Sequence, residues 1–304
     1  MLTRNHSPEV SRISSRNSPP LRIAASSYLN SAPLLWSFLY GSMRGVVDFV
    51  EAVPAKCAQL LSQREVEAAL VPVIEYQRIA DVLLVPNVCV GSKEKVLSVV
   101  LVSRKRELRE IETVALDESS RTSATLVKVI FREFLDREPR WTTHTPNVAE
   151  MLELTDAALI IGDPAMAFSR TGVNVWDMAR LWRNYTGLGF VFAMWMVNNE
   201  AAEKSLSVDF AGAKDQGQNS IDEIVRFYQD KIPLSAKELR DYLVNNIAFS
   251  LDDSMRAGLQ LYFDLAHKHR LIERVRPLAF TKHSVLGAQA SSPASSHKLP
   301  PVSE

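Results

Sequence analysis

Short apolar runs of strand length alternate with stretches whose apolar residues recur at helical spacing, from residue 21 to about residue 270. Residues 21–25 (LRIAA), 46–50 and 68–71 read as strands. Between and after them, 33–40, 54–63 and a stretch around 73–80 read as helices, and a proline sits in the first turn of the first one. The β-branched runs 82–85 and 88–90 are split by Pro86-Asn87, a turn signal. This β-α-β-α order predicts a parallel α/β sheet.

A longer strand, 95–103 (KVLSVVLVS), opens a second block. Strand 113–116, helix 122–135, strand 141–143, helix 147–154 and strand 157–161 follow, and 189–197 form another long strand. From about residue 221 the pattern is helical, over 222–231, 235–245 and 250–269. Leu239, Leu243 and Ile247 fall on one helical face, and Ser235 precedes Glu238 by three, the spacing of a capping box. Two long strands thus bracket a central block. A chain that leaves one lobe on a long strand and returns on another makes a two-lobed α/β clamshell with a helical C-terminal part. Lobe 1 is expected from 21–97 plus 192–284 and lobe 2 from 98–191, with the cleft between them as the default ligand site. One continuous sheet is the alternative. Residues 1–20, rich in Ser, Arg and Pro with no apolar h-region, read as a flexible leader, and the Ser/Pro/Ala-rich 285–304 as a disordered tail.

Composition narrows the class. Of 304 residues 46% are hydrophobic, which excludes global disorder. Thirty-five basic and 35 acidic residues give a net charge of +0, without the electrostatic footprint of a general nucleic-acid binder. The longest apolar run, FVFAMWMV at 190–197, has strand length, well short of the roughly 18 residues of a membrane span. No nucleic-acid or membrane partner is therefore expected. Cys57 and Cys89 lie in apolar settings without metal-ligand spacing, so a reducing, cytoplasmic compartment is the natural reading.

Four segments can carry chemistry. The loop 117–123 (DESSRTS) lies between a strand and a helix; Ser120, Arg121, Thr122 and Ser123 either cap that helix or, with its free N–H groups, hold an anion such as a carboxylate. After the first strand, Tyr28, Asn30 and Ser31 either offer neutral hydrogen bonds to a ligand or form a helix start with Asn30 as its cap. In 160–165 (IIGDPA), Gly162 permits close approach of a ligand, and Asp163 is expected chiefly as the cap of a helix opened by Pro164. Thr186 and Gly187 lie either at a hinge or in a plain helix-to-strand loop. GxGxxG, P-loop, GxSxG and HExxH motifs are missing, and His267-x-His269 has the wrong spacing for one helical face, so no metal site and no cofactor are expected. Trp36, Trp176, Trp182 and Trp195 read as core rather than as a base-stacking surface.

Taken in order, SYLNSAPL (27–34), ALVPVIEYQR (69–78), SVVLVS (98–103), LDESSRTSATL (116–126), DAALIIGDPAM (156–166) and TGLGFVFAMW (186–195) resemble the chorismate dehydratase family of the futalosine route to menaquinone, over roughly residues 21–280. Ser31 stands where that family usually has Thr, and Gly189 where it usually has Pro, a change expected to loosen the return strand. The resemblance implies a fold similar to type II periplasmic binding proteins, with two crossing strands. It also implies the reaction, loss of water from chorismate to give 3-[(1-carboxyvinyl)oxy]benzoate, without a redox cofactor. A sister family that makes 1,4-dihydroxy-6-naphthoate shares the fold, and a non-catalytic solute-binding protein would share the clamshell. For the dehydratase, Asn30 and Ser98 are the expected catalytic residues. Tyr28, Ser31, Ser120, Arg121, Thr122, Ser123, Gly162, Asp163, Thr186 and Gly187 are expected to bind the substrate. The base is either a protein acid, with Asp163 and Glu75 as candidates, or the substrate's own enolpyruvyl carboxylate. Monomer and homodimer both remain open.

Overall fold

The computed structural model describes residues 19–282, so the proposed leader (save its last two residues) and tail lie outside the described residues. Strands β1 (Leu21–Ala25), β2 (Val47–Glu51) and β3 (Ala68–Pro72) are connected by helices α1 (Ala32–Leu39) and α2 (Pro54–Ser62), and the long strand β4 (Val82–Ser92) follows. The chain then enters a second unit: β5 (Val99–Ser103), β6 (Thr113–Asp117), α3 (Thr122–Val129), β7 (Arg140–His144), α4 (Val148–Leu154), β8 (Ala157–Ile161), α5 (Pro164–Ala167), β9 (Asn174–Asp177) and α6 (Met178–Thr186). It returns on β10 (Phe190–Asn198) and ends in helices α7 (Ala202–Ser205), α8 (Phe210–Asn219), α9 (Ile221–Tyr228), α10 (Ala236–Asp241) and α11 (Asp253–Lys268).

Two sheets result, with strand orders β2-β1-β3-β10-β4 and β7-β6-β8-β5-β9. Each has the same plan. Three parallel strands are followed by one antiparallel strand that enters directly from the other sheet: β10 beside β3 in the first, β5 beside β8 in the second. The expectation of a parallel sheet is corrected to a mixed one, because each crossover delivers its strand running the opposite way. The two-lobed clamshell itself is present, and the single continuous sheet is not.

Three local expectations change. Residues 95–103 are not one strand: β5 begins at Val99, and the preceding turn holds Leu97 at φ 59°, tied down where the Asp177 carboxylate accepts the N–H groups of Val96 and Leu97 at 3.0 and 2.6 Å. Pro86-Asn87 does not end a strand. It forms a bulge inside β4, with Asn87 at φ 56° and a shift of register against β10, a place in a sheet where a residue without an N–H is tolerated. The stretch around 73–80 makes only a 3-10 turn, Val73–Gln77. The Ser235–Glu238 capping box forms as expected.

The core runs through both lobes and gathers around β10. Trp182, Phe190 and Tyr262 are fully buried and meet edge to face, with centroids 5.4 and 5.0 Å apart. Trp36 and Trp195 are buried too, and Trp176 partly so, in keeping with a core reading of the tryptophans. Helix α11 packs so tightly on the return strand that a Cβ on Gly258 would lie 2.0 Å from the Gly189 carbonyl oxygen. Gly189 is not loose: its N–H donates to Ser254 Oγ at 3.0 Å, a bond that a proline would forfeit. Cys57 and Cys89 are free and buried, and burial pushes both thiols up to about 12. Among the described residues, no helix is long and apolar enough to cross a membrane.

Candidate active site between the lobes

A cavity opens between the two sheets, lined by residues of both lobes, the usual place for a small-molecule site in a two-lobed fold. Its walls are the loops that follow β1, β6 and β8, at the carboxyl ends of parallel strands where α/β ligands bind. Its floor is apolar, with Leu70, Val90 and Phe192 from the first sheet against Val99 and Ile161 from the second.

The loop after β1 is rigid by its own hydrogen bonds. Ser31, rather than Asn30, occupies the cap position of α1, and its hydroxyl donates to the carbonyls of Ser26 and Tyr28. Ser31 therefore shapes the loop. The Asn30 side chain lines the cavity and has no hydrogen-bonding partner among the described residues, so its amide is available to a ligand. The Tyr28 ring also lines the cavity and lies over Gly162 of the other lobe; a Cβ there would be 2.7 Å from the ring. Gly162, at φ 68°, thus makes room for Tyr28, and it lines the cavity itself. Burial, and secondarily the Asp117 carboxylate, push the Tyr28 phenol above its usual value.

Opposite stands the loop after β6. Asp117, 2% exposed, accepts from Ser119 N at 2.8 Å, Ser119 Oγ at 2.6 Å and Ile161 N at 3.4 Å, which fixes the turn; burial raises its carboxyl above the ordinary range. No side chain caps the first turn of α3. Thr122 Oγ1 accepts from Ile74 N across the cleft at 3.2 Å, and the Arg121 guanidinium pairs with Glu75 at 2.8 Å, so both are engaged with lobe 1. Glu75 also holds Arg78 at 2.8 Å, which gives it the structural role of an interlobe ion pair. Ser120 Oγ, by contrast, is buried without a hydrogen-bonding partner on the cavity wall, near Ser123 and the uncapped helix start. An unpaired buried hydroxyl destabilises a fold by about 1–3 kcal/mol. Ser120→Ala is accordingly expected to leave the unfolding midpoint unchanged or raised in a urea titration, while KM rises by roughly tenfold, the value of one hydrogen bond to a charged group. A matched loss of stability would show that the hydroxyl supports the fold instead.

Several expected residues are placed elsewhere. Ser98 is fully buried, its Oγ accepting from Tyr242 OH at 2.7 Å, and it does not line the cavity; the chain turns inward one residue later, at Val99. Thr186 and Gly187 end α6: the Thr186 hydroxyl donates to the Trp182 carbonyl at 2.8 Å, and Gly187 supplies the left-handed residue that closes the helix. Neither reaches the cavity. Asp163 stands at the cap position of α5 but makes no cap bond; its Oδ1 accepts instead from Leu29 N of lobe 1 at 2.9 Å. What the sequence reading missed is the apolar floor and the support of Asp117. Asp117 lay in the quoted loop, yet nothing in its neighbours distinguished a buried turn-former from a surface acid.

Burial raises the Asp163 carboxyl from 3.8 to about 6, against the partial offset of its Leu29 hydrogen bond and of Lys231. Tyr28, Tyr228 and Tyr242 also feel its charge. Between those two values the folded chain holds a proton the unfolded chain has lost. The group's contribution to stability therefore falls as pH rises through that window, and its full penalty applies above about pH 6. Asp163→Asn, which cannot ionise, is expected to gain stability relative to the parent as pH rises from 4 to 6, with a constant difference above. Urea unfolding at each pH tests this, and a difference that does not vary with pH would sink it.

Comparison with known proteins agrees with this geometry. A family model described as menaquinone biosynthesis matches residues 21–268. A chorismate dehydratase of Thermus thermophilus is 30% identical over 254 residues, 77% of this chain and 91% of that protein. Among solved structures, a protein from Archaeoglobus fulgidus superposes with a TM-score of 0.68 at 14% identity, over 84% of this chain and 99% of that one. The periplasmic aliphatic sulphonate binding protein of Escherichia coli does so with a TM-score of 0.58 at 16% identity, over 93% and 97%. The structural likenesses establish a periplasmic-binding-protein fold. With that fold, the match along nearly all of the described chain and the relative's sequence in agreement, the chain belongs to the chorismate dehydratase family of menaquinone biosynthesis.

Proposed function

We propose that the chain is a carbon–oxygen lyase that removes water from chorismate, giving 3-[(1-carboxyvinyl)oxy]benzoate in the futalosine route to menaquinone. The observation that carries this reading is the pairing, in one cavity, of the unpartnered Ser120 hydroxyl at an uncapped helix start with the unpartnered Asn30 amide on the opposite loop. Chorismate is a dianion with a ring hydroxyl and an enolpyruvyl ether. One carboxylate fits the start of α3, held by backbone N–H groups, Ser120 and Ser123. Asn30, with Tyr28 beside it, positions the ring hydroxyl or the enolpyruvyl arm.

In the elimination, the C3–H bond breaks and its electron pair becomes the new C3–C4 π bond. The C4–O bond breaks, and the departing oxygen leaves as water once protonated. The ring becomes aromatic, which supplies the driving force. Among the described residues lining the cavity, the titratable side chains are Tyr28 and Arg121, with no carboxylate or imidazole. Glu75 is ion-paired and Asp163 is bound to Leu29. These placements favour the substrate's own enolpyruvyl carboxylate as the group that takes the C3 proton. The protein then acts chiefly by orientation and by exclusion of water.

The test is incubation of the purified chain with chorismate, followed by mass spectrometry and the ultraviolet band of the aromatic product. Chorismate left intact, with cyclic dehypoxanthine futalosine consumed instead, would assign the chain to the sister reaction. Binding of a small carboxylate without turnover of either would make it a solute-binding protein.

A further inference from the structure

The loop that carries Tyr28 and Asn30 belongs to lobe 1, yet two of its contacts are with lobe 2, and both fall on the adjacent residues Gly162 and Asp163. The Leu29 N–H donates to Asp163 Oδ1 at 2.9 Å, a link across 134 positions of sequence. The Tyr28 ring rests on the bare Cα of Gly162, within 2.7–2.9 Å of where a Cβ would stand. Asp163 occupies the cap position of α5 but makes no cap bond to that helix. Its carboxylate is given over to the other lobe.

We infer that Asp163, with Gly162, is an interlobe latch: a positioning residue that seats the Tyr28–Asn30 loop against lobe 2 and closes the clamshell over the substrate, without touching the reacting atoms. This inference rests on the reading of the interlobe cavity as the dehydratase site, and assigns one residue in it a role. A base must reach the C3 proton, and Asp163 is not among the residues lining that cavity, whereas Leu29 N lies between Tyr28 and Asn30, which are. Release of the latch leaves Asn30 intact but lets its loop part from lobe 2.

The role has a kinetic signature. If the latch only sets the fraction of molecules in the closed form, its loss raises the apparent substrate constant by the factor by which that fraction falls, and saturating substrate restores closure. A base, by contrast, is needed at every turnover and its loss falls on kcat. We expect Asp163→Ala to raise KM by about tenfold, the value of one hydrogen bond to a charged acceptor, with the loss on KM rather than kcat. Asp163→Asn keeps an oxygen that can accept from Leu29 N, and should recover most of that KM.

The experiment is steady-state kinetics of the full chain and the two variants with chorismate, together with small-angle X-ray scattering of each without ligand. The expected result is a larger radius of gyration for Asp163→Ala than for the parent or Asp163→Asn, alongside the KM pattern above. A fall of kcat by a hundredfold or more in both variants at unchanged KM would make Asp163 a reacting group and overturn the latch. Parent-like KM and scattering for Asp163→Ala would overturn it equally. Should the parent itself leave chorismate unchanged, the dehydratase reading falls, and the scattering comparison still decides the latch.

Discussion

Asn30→Ala is expected to lower kcat by roughly a hundredfold to a thousandfold, in the range measured when one preorganised hydrogen bond to a reacting centre is lost. The Asn30 amide lines the cavity and has no hydrogen-bonding partner among the described residues, so its removal breaks nothing in the fold. The unfolding free energy should stay within about 0.5 kcal/mol of the parent's, and the midpoint with it, as for substitutions that disturb no internal contact. In the proposed dehydration the rate should collapse because elimination needs the C–H and C–O bonds aligned, and a misplacement of about 1 Å costs on the order of a hundredfold. Stopped assays for the aromatic product give kcat, and circular dichroism gives the midpoint. A near-normal rate would remove Asn30 from the site.

Gly162→Val should damage both stability and closure. At φ 68° a side chain costs about 1–2 kcal/mol in backbone strain alone. The added atoms would also meet the Tyr28 ring, where overpacking costs about 1–3 kcal/mol. Together the loss is on the order of 3 kcal/mol if the lobes stay shut. Opening relieves the collision but not the strain, so the chain is expected to unfold at lower urea and to bind substrate far more weakly. Tyr28→Gly in the same background should recover part of the stability by emptying the contact. No recovery would locate the whole cost in the backbone at residue 162.

The sequence was most informative where one local pattern decides the outcome. The alternating runs at β1, β6 and β8, the proline at the start of α1 and the Ser235–Glu238 box each formed as expected. The loops facing the cavity were legible too, since polar residues after parallel strands have few other places to go. The fate of each hydroxyl in those loops was not. Ser31, Thr122 and Ser120 look alike in a sequence, yet the first bonds its own loop, the second reaches across the cleft and the third has no partner. For Thr122 the deciding contact lies 48 residues away in the chain, which no window of sequence displays. Ser98, Thr186 and Gly187 went astray for a related reason. Ser98 lies at a crossover where the next residue, Val99, lines the cavity, whereas Thr186 and Gly187 close α6 and the return strand reaches the cavity only at Phe192 and Ala193.

The exchange of strands between the two sheets also dictates an order of assembly. The first sheet lacks its fourth strand, β10, until residues 190–198 have been made, because β10 lies between β3 and β4. The second sheet is complete by residue 177. On a ribosome, lobe 2 can close while lobe 1 still presents two open strand edges, the facing flanks of β3 and β4, both rich in buried apolar residues. Such edges invite pairing with other chains. The lobe that starts first finishes last, and its exposure to aggregation lasts as long as the synthesis of its neighbour.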